Sequence, residues 1–329
     1  MRRSPPGTGY LAYDTRRDML VAYLPYANML WEFDGFQWEE RTLASSSPQP
    51  PSVLGAAFAY DEARGVCVLF GGAASGSASS LTSTWEYDGA HWTERPLPAA
   101  GPTPRRMPSM VYDSTHARLV IYGGNDLVSQ SGSNRQTWAY DGASWTLLDS
   151  SGPNIGTDIA IACDSVRDRI VALSDNLYGM QTWEFDGAHW SQRLITGPSA
   201  RSGGQMAYFP GIHQCIYAGG SNQSDTWSYD GSTWTRQVSG MPPRIPSKLV
   251  YDSLRQAITF VGGDSLSANG LYTVEHRDLW RFNGASWTNP LSDGPTTALA
   301  EPDDWSNHTA FVPGLSRFEA IGMQANSLA

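Results

Sequence analysis

Three arginines stand at one recurring place in this chain: Arg105 in PTPRRMP, Arg201 in PSARSGG and Arg244 in PPRIPS, each just ahead of a short apolar run. A guanidinium is a rigid planar fork that grips a carboxylate or sulfate through paired hydrogen bonds. Three such forks converging from three repeats would make an anion site. A repeated position equally suits a residue that ties down its own loop or pairs with a neighbouring aspartate. Tyr272, Glu275, His276 and Arg277 crowd a second variable stretch, and Asn125, Asp126 and Arg135 populate a third. Trp305 and His308 stand near the C-terminal end. An indole there serves as a stacking ring or as a plug beneath the last repeat. The ligand-binding candidates are therefore Arg105, Arg201, Arg244, His276, Arg277, Trp305 and His308.

Other chemistries find less support. His91 and His189 share one turn position, His116 and His213 lie on turns of another kind, and only His276 and His308 fall where they could meet. Two histidines without a firm spacing make a poor metal site, so no metal and no cofactor is expected. Cys67, Cys163 and Cys215 sit inside apolar runs without CxxC spacing, which reads as buried free thiols. No GxSxG, HExxH or phosphate-binding glycine loop is present. Asp175, Asp225, Asp264, Asp303 and Asp304 leave acid–base catalysis open, but no pair is singled out by spacing. The formal charge of −10 argues against a nucleic-acid partner, and Lys248 is the only lysine. No stretch is long and apolar enough to span a membrane. The opening MRRSPPGTGY lacks an apolar h-region, so the expectation is a cytoplasmic monomer, or an exported one if the true start lies upstream.

The elements that must position these residues come from a repeat. WEFDGFQW (from Trp31), WEYDGAHW (Trp85), WAYDGASW (Trp138), WEFDGAHW (Trp183), WSYDGSTW (Trp227) and WRFNGASW (Trp280) recur at spacings of 54, 53, 45, 44 and 53. The second tryptophans are Trp38, Trp92, Trp145, Trp190, Trp234 and Trp287. Within 107–145, SMVY ends at Asp113, RLVIY ends at Gly123-Gly124, and TWAY and SWTLL flank Asp141-Gly142. Short apolar runs broken by such turn residues are four antiparallel strands, A to D, and no helix is evident. The chain is all-β, with repeats near 9–40, 55–94, 107–147, 157–192, 204–236 and 247–289, and a two-stranded remnant at 307–323. The twelve tryptophans are expected to clamp each sheet against the adjoining one.

Four-stranded units at this period describe a β-propeller. The runs VYDSTHARLVIYGG (111–124), AYDEARGVCVLFGG (59–72) and VYDSLRQAITFVGG (250–263), each followed by the tryptophan phrase, resemble the kelch-repeat propellers and the galactose-oxidase-like domain of bacterial proteins. The glycine pairs are Gly71-Gly72, Gly123-Gly124, Gly219-Gly220 and Gly262-Gly263; Leu24-Pro25 and Ser174-Asp175 replace them in the first and fourth repeats. The copper ligands of galactose oxidase are not reproduced. The Asp-box of sialidases also fails, because no residue separates Asp from Gly.

Two closures fit: seven blades with the last incomplete, which is preferred, or six blades with a C-terminal hairpin at the side. The A–B and C–D turns are short and uniform, whereas the B–C segments (73–84, 125–137, 264–279) and D–A links (39–54, 288–307) are long and variable. Binding residues concentrate on loops held by a rigid scaffold. The expected function is a non-catalytic binding scaffold acting through the B–C/D–A face. The alternatives are recognition of an anionic carbohydrate and, less favoured, a glycan-active enzyme.

Overall fold

The computed structural model describes residues 5–290 except 6–8, 26–27, 43–47, 75–79, 97–99, 126–133, 157–158, 177–178, 238–239 and 267–272. The described chain forms 24 strands and one turn of 3-10 helix at Pro210–Ile212. Blade 1 is β1 (Tyr10–Asp14), β2 (Met19–Leu24), β3 (Met29–Phe33) and β4 (Trp38–Glu40). Blade 2 is β5 (Val53–Asp61), β6 (Val66–Ala74), β7 (Thr84–Tyr87) and β8 (Trp92–Arg95). Blade 3 is β9 (Ser109–Asp113), β10 (Arg118–Tyr122), β11 (Thr137–Tyr140) and β12 (Trp145–Asp149). Blade 4 is β13 (Ile159–Asp164), β14 (Arg169–Asn176), β15 (Gly179–Phe185) and β16 (Trp190–Arg193). Blade 5 is β17 (Gln205–Phe209), β18 (Gln214–Ala218), β19 (Thr226–Tyr229) and β20 (Trp234–Arg236). Blade 6 is β21 (Val250–Asp252), β22 (Ala257–Leu266), β23 (Thr273–Phe282) and β24 (Trp287–Thr288). Each blade pairs its strands in chain order, antiparallel throughout.

A lone four-stranded sheet cannot bury both faces, so the apolar residues gather between blades. Six core clusters result, one per seam. Both tryptophans of a blade face the preceding blade: Trp85 and Trp92 pack with Val21, Tyr23 and Leu30 of blade 1. The sixth seam decides the closure. Leu11, Tyr13, Trp31 and Trp38 of blade 1 share a cluster with Val261 and Leu279 of blade 6. Arg255 of blade 6 also pairs with Asp18 of blade 1 at 3.1 Å. Six blades therefore close directly on one another, and the seam leaves no gap for the seventh blade preferred from sequence. Residues 307–323 lie outside the described residues.

Polar groups lace the seams in register. The D-strand indoles donate to a threonine of the preceding blade: Trp145 Nε1 to Thr84 (3.2 Å), Trp190 to Thr137 (2.8 Å), Trp234 to Thr182 (2.9 Å) and Trp287 to Thr226 (2.8 Å). Trp38 and Trp92 lack this bond, because Leu279 and Leu30 stand at the threonine position. A second rule links C strands. Buried Glu32, Glu86 and Glu184 each accept from a tyrosine hydroxyl one blade on, Tyr87 (3.1 Å), Tyr140 (2.9 Å) and Tyr229 (2.9 Å). The same glutamates take the A–B turn arginine of their own blade, Arg17 (2.7 Å), Arg64 and Arg167 (2.6 Å). Where the glutamate is replaced by Ala139, Ser228 or Arg281, the next blade carries Phe185, Phe282 or Phe33 instead of tyrosine. A phenol hydroxyl facing no acceptor would be a buried orphan, so glutamate and tyrosine appear and disappear together.

Candidate functional site

The inner A strands surround the axis, and their edges carry backbone groups that no further strand covers. Lys248, just ahead of β21, reaches across this channel from blade 6. Its Nζ donates to Phe58 O of blade 2 (2.8 Å) and Met110 O of blade 3 (3.3 Å). Ser109 Oγ covers another such carbonyl, Ile159 O, at 2.7 Å. The only lysine of the chain thus acts as a strut between blades that are not neighbours.

Removal from bulk water pushes the Lys248 amine down to about 8. Below that pH the amine is charged in folded and unfolded chains alike, and the burial cost is present in full. Between about 8 and the usual lysine value near 10.4, the unfolded chain binds more protons, so stability rises with pH. Relative to Lys248→Met, the unfolding free energy of wild type is expected to gain about 1–2 kcal/mol from pH 7.5 to 9.3, since each unit is worth about 1.4 kcal/mol. The three buried thiols, pushed up by burial, lower stability over the same window equally in both proteins. Denaturant titrations of wild type and Lys248→Met check this; an identical pH dependence in the two contradicts it.

At the B–C/D–A end, the structure places the three arginines inside the protein. Arg105, Arg201 and Arg244 are 0%, 5% and 4% exposed. Each donates Nη1 to the first glycine carbonyl of its own blade's pair: Gly123 (3.2 Å), Gly219 (3.5 Å) and Gly262 (3.1 Å). Each also reaches the residue two before the C-strand tryptophan. Arg105 Nη2 meets Gln136 Oε1 (3.1 Å), Arg201 forms a buried ion pair with Asp225, and Arg244 pairs with Asp278 (2.5 Å). Their backbones work too: Arg105 O accepts from Gly72 N (2.9 Å) and Arg244 O from Gly220 N (3.0 Å), one blade back. Gly72 and Gly220 adopt φ of +85° and +88°, and a Cβ on Gly220 would stand 2.6 Å from Gly204 N. The glycine pairs are docking points for the neighbouring blade. Each guanidinium is engaged within its own blade.

Among the described residues, blade 6 carries the longest paired projection. The sequence reads 264–279 as a B–C loop, but β22 and β23 stay paired outward to Leu266↔Thr273, with Glu275 opposite Asp264 and His276 opposite Gly263. The segment is a hairpin, because a solvated two-stranded ribbon needs no apolar alternation. Glu275 and Arg277 are exposed on it, while His276 is half-buried and shares a 2.7 Å contact with Ser265 Oγ. Burial, then Arg244, hold the His276 imidazole below its ordinary range. Bridges Arg106↔Asn125 and Ile245↔Asp264 fasten the bases of the projections in blades 3 and 6. Blade 4, which lacks the glycine pair, is not distorted: β14 runs on through Ser174-Asp175 in unbroken register to Asn176↔Gly179. Trp305, His308, Tyr272 and Asp126 lie outside the described residues.

All three cysteines are free and buried. Among the described residues no helix is long and apolar enough to cross a membrane. Of the acids that the sequence left open for catalysis, Asp225 is held by Arg201 and by Trp227 Nε1 (2.8 Å), and Asp303 and Asp304 lie outside the described residues.

The chain is similar to solved propellers. A structure described as "Structure of YjhT" superposes with a TM-score of 0.64 over 88% of this chain and 98% of its own, at 14% identity. "YCF48 bound to D1 peptide" gives 0.48 over 89% and 84%, at 15% identity. The likeness is one of fold. No protein-family model matches the chain, and no curated protein matches it.

Proposed function

We propose that this chain is a non-catalytic binding scaffold, a kelch-type propeller forming one domain, whose B–C/D–A end engages an exposed segment of a protein partner. The carrying observation is the asymmetry of the two ends. The A–B and C–D turns are short and tied down by their own aspartates, as Asp88 Oδ1 accepts from Ala90 N (2.8 Å) and His91 N (2.7 Å). The opposite end carries the blade 6 ribbon with Glu275 and Arg277 exposed on a fastened base. Projections of differing length on a rigid ring suit recognition of an extended ligand. The alternative of an anionic sugar needs accessible guanidinium groups, and Arg105, Arg201 and Arg244 are engaged within their blades. Arg277 and His276, with Trp305 and His308, remain the candidate contacts.

A peptide-library selection on immobilised protein tests this. Selected peptides should bind wild type and lose at least tenfold in affinity with Glu275→Lys/Arg277→Glu, while Asp88→Asn on the other end leaves binding unchanged. Peptides indifferent to the ribbon substitutions but sensitive to the turn substitution would overturn the assignment of the face.

A further inference from the structure

The seam between blades 3 and 4 departs from the repeat at four positions together. The third residue after the A-strand aspartate is Arg17, Arg64, Arg167 or Arg255 in blades 1, 2, 4 and 6, but His116 in blade 3. The C-strand glutamate position holds Ala139, and the tyrosine one blade on is Phe185. The residue before the A-strand aspartate, Tyr13, Tyr60, Tyr112 and Tyr251 in blades 1, 2, 3 and 6, is Cys163 in blade 4. The shorter side chains leave a small cleft bordered by Asp113, His116, Cys163, Asp168, Arg169 and Phe185. It has room for about one water or a bare ion.

Two carboxylates from different blades converge there on one imidazole nitrogen. His116 Nδ1 lies 2.9 Å from Asp113 Oδ2 and 3.8 Å from Asp168 Oδ1. The three ligand atoms fall within 4.8 Å of one another. Ligands at about 2.0–2.2 Å from an ion stand roughly 3–4 Å apart, so an ion fits among them with little movement. Asp113 is buried, whereas the His116 and Asp168 side chains are 41% and 46% exposed, so the site opens to solvent.

The seam between blades 6 and 1 shows what normally occupies this place. Asp252 and Asp18 hold the positions of Asp113 and Asp168, and Arg255 Nη1 stands 3.1 Å from each. A permanent cation bridges the two acids. Between blades 3 and 4 no arginine stands at that position, Arg118 reaching Asp113 from the next strand instead, and a shorter ring able to ligate a metal takes its place.

We infer that Asp113, His116 and Asp168 form a binding site for a divalent transition-metal ion of the zinc class, bridging blades 3 and 4. One imidazole nitrogen with two carboxylate oxygens suits zinc, nickel, cobalt or manganese better than calcium or magnesium, and leaves coordination positions for water. Burial pushes the Cys163 thiol up to about 12, so it stays protonated and lines the cleft without ligating. Arg118 Nε, 3.1 Å from Asp113 Oδ2, competes for one ligand oxygen and lowers the expected affinity. The site lies at the A–B turns, away from the proposed partner face, and does not depend on that reading.

Calorimetric titration of the full chain with zinc chloride tests the inference, with His116→Arg as the main variant because four other blades carry arginine there. Wild type should bind one zinc ion with a rise in melting temperature. His116→Arg should fold and lose both effects, and magnesium and calcium should give neither. Asp168→Asn, an exposed near-isosteric change, should weaken zinc at least tenfold and decides the matter if His116→Arg unfolds. No saturable binding in wild type overturns the site. Binding unchanged in both variants also overturns it, placing the ion on other histidines.

Discussion

Replacing Glu86 by alanine is expected to destabilise the propeller by about 2–4 kcal/mol, among the largest effects of any single change outside the aromatic core. The Glu86 carboxylate is 3% exposed and accepts from Arg64 and Arg95 of its own blade and from Tyr140 of the next. Removing it strips Arg95 of this carboxylate and leaves Arg64 with Asp61 and the Tyr140 hydroxyl with the Gly142 carbonyl, so three donors lose their shared acceptor in the seam. The figure sits below that for a fully enclosed pair because the Arg64 side chain is 24% exposed and water can reach part of it. The chain contains its own control. Between blades 3 and 4 the same three positions are Ala139, His116 and Phe185. The triple variant Glu86→Ala/Arg64→His/Tyr140→Phe should therefore recover more than half of the loss. Urea unfolding of the single and triple variants measures both, and a single variant within 0.5 kcal/mol of wild type (roughly the spread of neutral surface changes) would contradict the network.

The D-strand tryptophans give the second large effect. Trp145→Ala is expected to cost about 3–5 kcal/mol, because the ring fills the seam between blades 2 and 3. Its centroid lies 4.7 Å from Phe70 of blade 2 and 4.9 Å from Tyr140. The finer prediction separates packing from hydrogen bonding. Trp145→Phe also leaves buried Thr84 Oγ1 without its indole donor, whereas Trp92→Phe removes an N–H that has no partner among the described residues. Trp145→Phe should cost about 1 kcal/mol more than Trp92→Phe in the same denaturant series. Equal costs would mean that the indole–threonine bonds contribute nothing.

The blade, its four strands and its tryptophan clamp are legible in the sequence because they repeat, and a repeated residue must serve a repeated contact. The glutamate–tyrosine rule is also written there, in the rows WEF, WEY, WAY, WEF, WSY and WRF. It becomes readable only once ring order shows that each glutamate answers to the tyrosine of the following repeat. Closure was harder: the C-terminal apolar pair suggests another blade, and it takes the contacts of Leu11 and Trp38 with Val261 and Leu279, and of Arg255 with Asp18, to show that the sixth blade meets the first. The arginines are legible in part: pairing with a neighbouring aspartate was one of the readings their repeated position allowed, and Asp225 and Asp278 are such partners. Their other acceptors are backbone carbonyls of the glycine pairs, which carry no side-chain signature. Lys248 is visible as the sole lysine, yet its carbonyl partners lie 190 and 138 residues away across the channel, beyond any local pattern. The blade 6 ribbon reads as a loop because a solvated hairpin carries polar residues on both faces. His116 was legible as a histidine where four other turns place arginine, but Asp168, its second acid, comes from the next blade.

The central claim is that a rigid six-bladed ring presents its B–C/D–A end to a partner segment. Hydrogen exchange of the protein with and without a selected peptide tests it most directly. The account predicts slowed exchange in the blade 6 ribbon at 264–266 and 273–277 and at 134–136 in blade 3, with the A–B and C–D turns unchanged. Protection confined to the turns around Asp88, Asp141 and Asp186, with the ribbon unaffected, would contradict it.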